Sequence, residues 1–311
     1  MIATGESRRP RYRKVFVLAP SHLTTGGPEA LHQLVDAIRA LGGDAYISYW
    51  PFDGGAAPVP EPYRGYNVVA APPQDEPGNL IVIPEIRPLI ARQFAHATTA
   101  IWWLSFDHFL GETERPGWDE LRGRVNFSQS RYAADRLAAH GIATAPLTDY
   151  LNAEFRETPP ISPRRNAIAY GARSIGTVLW LRRRTPLRLC EWVLLDRMNR
   201  ADVRNALSEV KLYVDFGNHP GRDRMPREAA LCGACVITGR RGSAANAVDV
   251  PLPDDCKLDD DAALFGWRLA AKALSVFGFF DRHVQRMESY RHFARDARTV
   301  FFEEVGRAFF E

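Results

Sequence analysis

A chain of 311 residues is longer than most single cores, so two domains of roughly 100–200 residues each are the default expectation. With 46% hydrophobic, 25% charged and 11% aromatic residues, the composition is that of an ordinary globular protein and excludes a disordered one. The 40 basic and 37 acidic residues leave a formal net charge of +3, too balanced for a dedicated nucleic-acid binder, and no nucleic acid is expected as a partner.

No run of about 18 apolar residues is present, so no membrane span is expected. The opening stretch MIATGESRRPRYRK lacks the apolar core of a signal peptide, and a cytoplasmic location is the expectation. Of the four cysteines, Cys190, Cys232, Cys235 and Cys256, only the middle two form a C-x-x-C pair. No second ligand pair has metal spacing, so the thiols read as buried, reduced and structural, and no metal is expected.

Short β-branched and aromatic runs alternate with amphipathic stretches, the pattern of parallel sheets built from β-α-β units. Residues 14–20 (KVFVLAP) predict the first strand. A helix follows from Gly27-Pro28-Glu29 to Leu41, with Leu31, Leu34, Val35, Ile38 and Leu41 on one face and Pro28 suited to its first turn. Gly42-Gly43 ends it, and DAYISYW (44–50) predicts the second strand. The Pro- and Gly-rich stretch 51–77 reads as an irregular excursion. The alternation resumes with NLIVIPE (79–85) as a strand, 88–96 as a short helix and TAIWWLS (99–105) as a strand, followed by a long loop over 106–124. VNFSQS (125–130) predicts a strand, 131–140 a helix and TAPLTDY (144–150) a closing strand.

Prolines cluster in ETPPISP (157–163), the composition of an interdomain linker. A second alternating series begins there. NAIAY (166–170) predicts a strand, GARSIG (171–176) a loop, 177–184 a helix and LCEWVLL (189–195) a strand. A helix over 201–209, the strand KLYVDF (211–216), a loop, a helix over 227–231 and the strand ACVITG (234–239) complete it. Beyond Asp261 the pattern is helical, with aromatics at helical spacing that read as core. The expected domains are therefore 1–156, 157–261 and a helical segment, 262–311, packing on the domains.

The chemistry concentrates in YVDFGNHPGRDRMPREAALCGACVITGRRGSAAN (213–246), which holds two strands, a Gly- and Arg-containing loop, a helix start and a second Gly-containing turn. In an open parallel sheet ligands bind at the carboxyl ends of strands, where both loops fall. A helix N-terminus there suits a diphosphate, and Arg222, Arg224 and Arg227 add charge-assisted hydrogen bonds. Glu228, a carboxylate in the first helical turn, is placed to accept from ribose hydroxyls, or simply to favour the helix dipole and pair with Arg224 or Arg227. Gly242-Ser243 can approach a ligand with exposed backbone N–H groups. Asp259-Asp260-Asp261 reads as an N-terminal cap of the last helices.

PREAALCGACVITGRRGS (226–243) resembles the donor-binding signature of GT-B glycosyltransferases, and of the retaining family 4-like, or group 1, enzymes in particular. In that signature a loop, a Pro-x-Glu-Ala helix start, a Gly-x-x-Val strand and a Gly-rich turn hold the nucleotide sugar. Glu228 corresponds to the second acid of the family pattern Glu, seven residues, Glu, while the first falls at Pro220, so the pattern is broken and Asp223 or His219 is the substitute. Arg173, in the loop after NAIAY, matches the place where such enzymes put basic side chains on the donor diphosphate, and Gly221 lies in the donor loop after KLYVDF. APSHLTTGGPEALHQLVDAIRALGGDAYI (19–47) resembles the opening of these enzymes, where the Gly26-Gly27 backbone faces the donor phosphates. IWWLSFDHF, FSQSRYAADRLAAHGI and LTDYLN resemble bacterial proteins of the same kind, so the likeness covers most of residues 14–260.

The resemblance implies an α/β GT-B fold, two Rossmann-like domains with parallel sheets facing across a cleft and C-terminal helices crossing back. It implies a glycosyltransferase, of retaining hexosyl type, that moves a sugar from a nucleotide-diphosphate sugar such as a UDP-sugar to a saccharide or lipid-linked acceptor in bacterial surface polysaccharide or glycoconjugate synthesis. Neither a metal nor another cofactor is implied. A nucleotide-sugar epimerase or phosphorylase, or a non-catalytic nucleotide-sugar-binding protein, is the alternative on the same fold. His22, Asp107 and His108 follow predicted strands and are the candidates for a general base or acceptor contact, with Phe106 and Phe109 as acceptor-contact aromatics and Trp102 and Trp103 as core. The basic residues Arg8, Arg9, Arg11, Arg13 and Lys14, and aromatics such as Trp267, also fit a peripheral contact with the inner face of a membrane, against the plainer reading of a solvated tail.

Overall fold

Every residue of β1 (Val15–Pro20) is buried, as a strand covered on both faces requires, and this is why its sequence is an unbroken apolar run with no alternation. The computed structural model describes residues 9–21, 23–51, 58–156 and 163–311. The chain divides into two units, Met1–Asp149 with Arg298–Glu311, and Tyr150–Ala297.

In the first unit, β1 joins β2 (Ala45–Trp50), β3 (Leu80–Pro84), β4 (Thr98–Trp103), β5 (Val125–Ser128) and β6 (Ala145–Pro146) in a six-stranded sheet of order β2-β1-β3-β4-β5-β6. Each neighbouring pair is parallel. Helix α1 (Gly26–Ala40) crosses from β1 to β2 and buries Leu31, Leu34, Val35 and Ile38 of the predicted face, while Leu41, its fifth member, is the half-buried C-cap. Because the chain leaves β1 for β2 on one side and returns to β3 on the other, the strand order reverses between β1 and β3, where such sheets open a crevice.

The expected loop over 106–124 instead contains α2 (Phe106–Gly111) and α3 (Trp118–Arg122). Ser105 starts α2 by accepting the His108 N–H, Phe106 and Phe109 pack with Trp103, and Trp118 packs with Phe109. Phe106 and Phe109 are thus core side chains, not acceptor contacts, and Asp107 and His108 lie on a helix rather than in a loop. Helix α4 (Arg131–Ala138) matches its prediction. The expected strand over 144–150 shrinks to β6, since Thr148 turns its N–H and hydroxyl to the Glu304 carboxylate at 2.7 Å and leaves the ladder.

In the second unit, β7 (Arg165–Gly171), β8 (Glu191–Leu195), β9 (Val210–Asp215) and β10 (Cys235–Thr238) form a parallel sheet of order β10-β9-β7-β8. The helices are α5 (Ala153–Arg156), α6 (Ile175–Arg184), α7 (Arg200–Glu209), α8 (Arg224–Leu231), α9 (Phe265–Gly278), α10 (Phe280–Arg286) and α11 (Glu288–Phe309). The proline joint, apart from Pro163, lies outside the described residues. The units meet in sequence at Asp149/Tyr150, earlier than the expected 156/157, because Leu151 and Phe155 are buried in the second unit's core beside Ala229 and Ala230. The expected separate helical segment is likewise shared out. Phe265, Leu269, Ala273 and Val276 fill the second core, whereas Phe301 stacks on Trp102 and Phe309 on Phe127 in the first unit.

All four cysteines are reduced, and burial pushes the thiols of Cys232 and Cys235 up to about 11 and about 12, so they are inert. Among the described residues no helix is long and apolar enough to cross a membrane.

Candidate functional site

In the second sheet the strand order reverses between β7 and β9, so the loops that follow these two strands flank the crevice position. Ser174 stitches them together: its hydroxyl accepts the Phe216 N–H at 2.8 Å and donates to the Phe216 carbonyl at 3.3 Å. Gly217, at φ +108°, leaves room for the Arg173 stem, whose Cγ is 3.1 Å from where a Cβ would stand.

Arg173 reaches across this gap. Its guanidinium donates to both carboxylate oxygens of Asp223, at 2.7 and 2.9 Å, and to the Asn218 carbonyl at 3.1 Å. His219 is fully buried with Nδ1 2.5 Å from the same carboxylate, and its Nε2 has no hydrogen-bond partner among the described residues. Although burial pulls Asp223 up, His219 and Arg173 hold its carboxyl down at about 2. Asp215, at the end of β9, is raised instead: its burial outweighs the pull of His219 and Arg173. The Tyr213 hydroxyl donates to it at 3.1 Å. Tyr213 and Asp215 were not singled out in the sequence. Their two-residue spacing on one strand, which puts both on one face, is the signal that could have found them.

The same loop is tied to the turn after β10. The Ser243 N–H donates to the His219 carbonyl at 2.8 Å and its hydroxyl to the Gly221 carbonyl at 2.5 Å. Gly242 has φ +60°, and a Cβ there would sit 2.1 Å from the His219 oxygen, so no other residue fits. Helix α8 begins at Arg224, three residues before the expected start, which moves Glu228 out of the first turn and weakens any dipole role for it. Arg227, 1% exposed, turns back and donates to the carbonyls of Arg222 and Asp223 at 2.8 and 3.1 Å, bracing the loop from beneath. Arg222 lies over the Phe293 ring at 4.6 Å, and Arg224 Nε is 3.5 Å from Glu228 Oε1.

One corner of the second unit thus gathers Arg173, His219, Gly221, Arg222, Asp223, Arg224, Arg227, Glu228, Gly242 and Ser243. Much of its positive charge is engaged internally. Arg173 sits on a carboxylate, Arg227 on carbonyls and Arg222 on an aromatic face, so the corner is more tightly self-braced than the sequence suggested. What it offers chemically is the N-terminus of α8, two rigid glycine-bearing turns and a buried carboxylate at Glu228. Beside it a cavity of about 450 Å³, within the range of small-molecule sites, is lined by Gly176, Thr177, Trp180, Arg241, Asp260 and Phe265.

The acidic triplet at this cavity is not a helix cap. Helix α9 starts only at Phe265, with Leu264 at its N-cap and no capping side chain, and Asp260 is instead paired with Arg241. Asp259, Asp260 and Asp261 bring one carboxylate oxygen each within 4.8 Å of one another, the geometry of a possible cation site.

The remaining candidates lie in the first unit. Gly26 and Gly27 open α1 behind an N-cap, Thr25, that makes no side-chain cap, and a Cβ on Gly27 would lie 3.8 Å from Leu104 Cδ1. Asp107 accepts the Tyr132 hydroxyl at 2.8 Å, and His108 is exposed. His22 lies outside the described residues. A group not foreseen is Glu85, at the carboxyl end of β3 beside the reversal of strand order. It accepts the Leu104 N–H at 3.0 Å, and burial, against the N–H groups of Leu104 and Ser105, pushes its carboxyl up to about 8.

No protein-family model and no curated relative matches the chain. Solved structures do match. A glycosyltransferase from Rickettsia africae aligns with a TM-score of 0.66 at 12% identity, over 96% of this chain and 99% of that one. Sucrose-phosphate synthase from Thermosynechococcus elongatus aligns at 0.58 and 12% identity, over 96% and 95%. The catalytic domain of starch synthase IV from Arabidopsis thaliana, bound to ADP and acarbose, aligns at 0.56 and 9% identity, over 95% and 100%. At these identities the likeness is one of fold, and the chain has the α/β GT-B fold.

Proposed function

We propose that this chain is a glycosyltransferase that holds a nucleoside-diphosphate sugar at the corner built by the loop after β9, the start of α8 and the Gly242-Ser243 turn. The observation that carries the reading is the convergence, at the strand-order reversal of a parallel sheet, of a helix N-terminus, Arg173 and Glu228. A starch synthase that shares the fold was solved with ADP and a saccharide, which supports the same ligand class here.

In this reading the first N–H groups of α8, which lack partners within any helix, and the guanidinium groups of Arg173 and Arg224 meet the diphosphate, and Glu228 accepts from the ribose. Departure of the nucleoside diphosphate leaves negative charge on its phosphate, which these fixed dipoles and cations stabilise as it develops. The positive groups suffice, in our proposal, without a metal or other cofactor. We assign retention of configuration and a hexosyl donor from the match of Glu228 to the second acid of the resembled pattern. His22, Asp107 and His108 remain our candidates on the acceptor side, and the acceptor is a saccharide or a lipid-linked one met at the inner face of a membrane.

A second reading, a nucleotide-sugar-binding protein without turnover, is favoured by Pro220 in place of the first acid and by the internal pairing of Arg173 with Asp223. Incubation with UDP-, GDP-, ADP- and dTDP-sugars separates the two. Slow release of nucleoside diphosphate from one donor supports transfer, binding without release supports the second reading, and conversion of the sugar with no diphosphate released indicates an epimerase.

A further inference from the structure

We propose that the surface formed by α6, the turn Pro186–Leu189 and α9 is a docking face for an anionic lipid bilayer. The sequence supplies the first observation: residues 175–190 and 262–280 contain five arginines and one lysine and no Asp or Glu. Arg182, Arg183, Arg184, Arg188 and Arg268 are exposed, and among the described residues none has an acidic partner. Lys272 is set apart, being taken by Asp255.

The second observation is apolar. On α9, Trp267, Leu274 and Gly278 recur at helical spacing with Ala271 on the face opposite its buried side, and Trp267 and Leu274 are 59% and 61% exposed. Leu189, at the end of the turn, is 84% exposed, and Leu179 and Trp180 project from α6. These elements are neighbours. A Cβ on Gly266 would lie 2.6 Å from Thr185 Cγ2 and 3.1 Å from Trp180 Cζ3, and the rings of Trp180 and Phe265 are 6.5 Å apart. Arg184 extends over Trp180 at 6.0 Å.

A surface that combines large exposed apolar side chains with unpaired arginines is unlike an ordinary solvated face, and its charge selects the occupant. A second copy would set arginines against arginines in a two-fold contact. Anionic headgroups complement the charge, while indole and leucine side chains enter the boundary between headgroups and acyl chains. Of the residues the sequence suggested for membrane contact, Trp267 belongs to this face. The inference does not rest on sugar transfer, because lipid binding is read without any nucleotide.

The test is co-sedimentation of the full chain with vesicles of phosphatidylcholine alone and of phosphatidylcholine mixed with phosphatidylglycerol. Binding to the mixed vesicles only, reversed by salt, is expected. Each arginine contributes about fivefold, so Arg182→Gln/Arg184→Gln/Arg268→Gln should lower the partition coefficient about a hundredfold. Trp267→Ala/Leu274→Ala should lower it about tenfold or more with thermal melting unchanged. Equal binding to both vesicles, no binding to either, or binding indifferent to the arginine variant overturns the proposal. So does a concentration-dependent dimer in sedimentation velocity that Trp267→Ala/Leu274→Ala abolishes.

Discussion

Asp223 grips Arg173 by both carboxylate oxygens, at 2.7 and 2.9 Å, across the two loops that follow β7 and β9. The carboxylate occupies the guanidinium as a phosphate would. Asp223→Asn should therefore tighten binding of a nucleoside diphosphate while leaving the bare nucleoside unaffected, as calorimetry would show. The same change should lower stability by about 2 kcal/mol near neutral pH. The carboxyl is held at about 2, below its ordinary 3.8, so this contribution is complete above pH 3.8 and disappears as pH falls through about 2. Weaker diphosphate binding in the variant would mean that Asp223 positions Arg173 rather than competing for it.

Gly242 joins the two halves of the corner. Alanine there faces both a positive φ and a backbone oxygen 2.1 Å from its methyl group, so Gly242→Ala should cost about 3 kcal/mol or more. Ser243→Ala removes only the hydroxyl bond to Gly221 and should cost about 1 kcal/mol. Denaturant melts that rank the two variants the other way would show that the turn is not held as described.

Glu85 makes a prediction for the first unit. Its carboxyl is raised from 4.5 to about 8, so the fold retains a proton that the unfolded chain loses between those values. Stability from this group is present below pH 4.5 and falls as pH rises toward 8. Glu85→Gln, which stays neutral, should gain on the wild type progressively over that window. A stability difference that does not change with pH would show that the carboxyl is ionised throughout.

Where burial on both faces dictates an apolar run, as in β1, β4 and β9, the strands were legible in the sequence, and so was α1 from its spacing. The short helices α2 and α3 were not, because Trp118 packs on Phe109 and stacks on His140, contacts between segments that no local period encodes. At the site, the glycines and arginines of 221–243 could be picked out as a group. Their pairing could not: Arg173 and Asp223 are 50 residues apart, and nothing in either segment says that the guanidinium will be met by a carboxylate. Glu85 escaped notice because a carboxylate at a strand end looks solvated until the neighbouring backbone is known to cover it.

The central claim is that a nucleoside-diphosphate sugar occupies the corner at Glu228. It is tested most directly by thermal-shift titration of the wild type, Glu228→Ala and Arg224→Ala with UDP-, GDP-, ADP- and dTDP-sugars, since a ligand of the native state raises the melting temperature. One donor should stabilise the wild type, Glu228→Ala should weaken its affinity about tenfold or more, and Arg224→Ala should weaken the diphosphate more than the nucleoside. A wild type that no donor stabilises, or a donor whose effect survives in Glu228→Ala undiminished, would contradict the account.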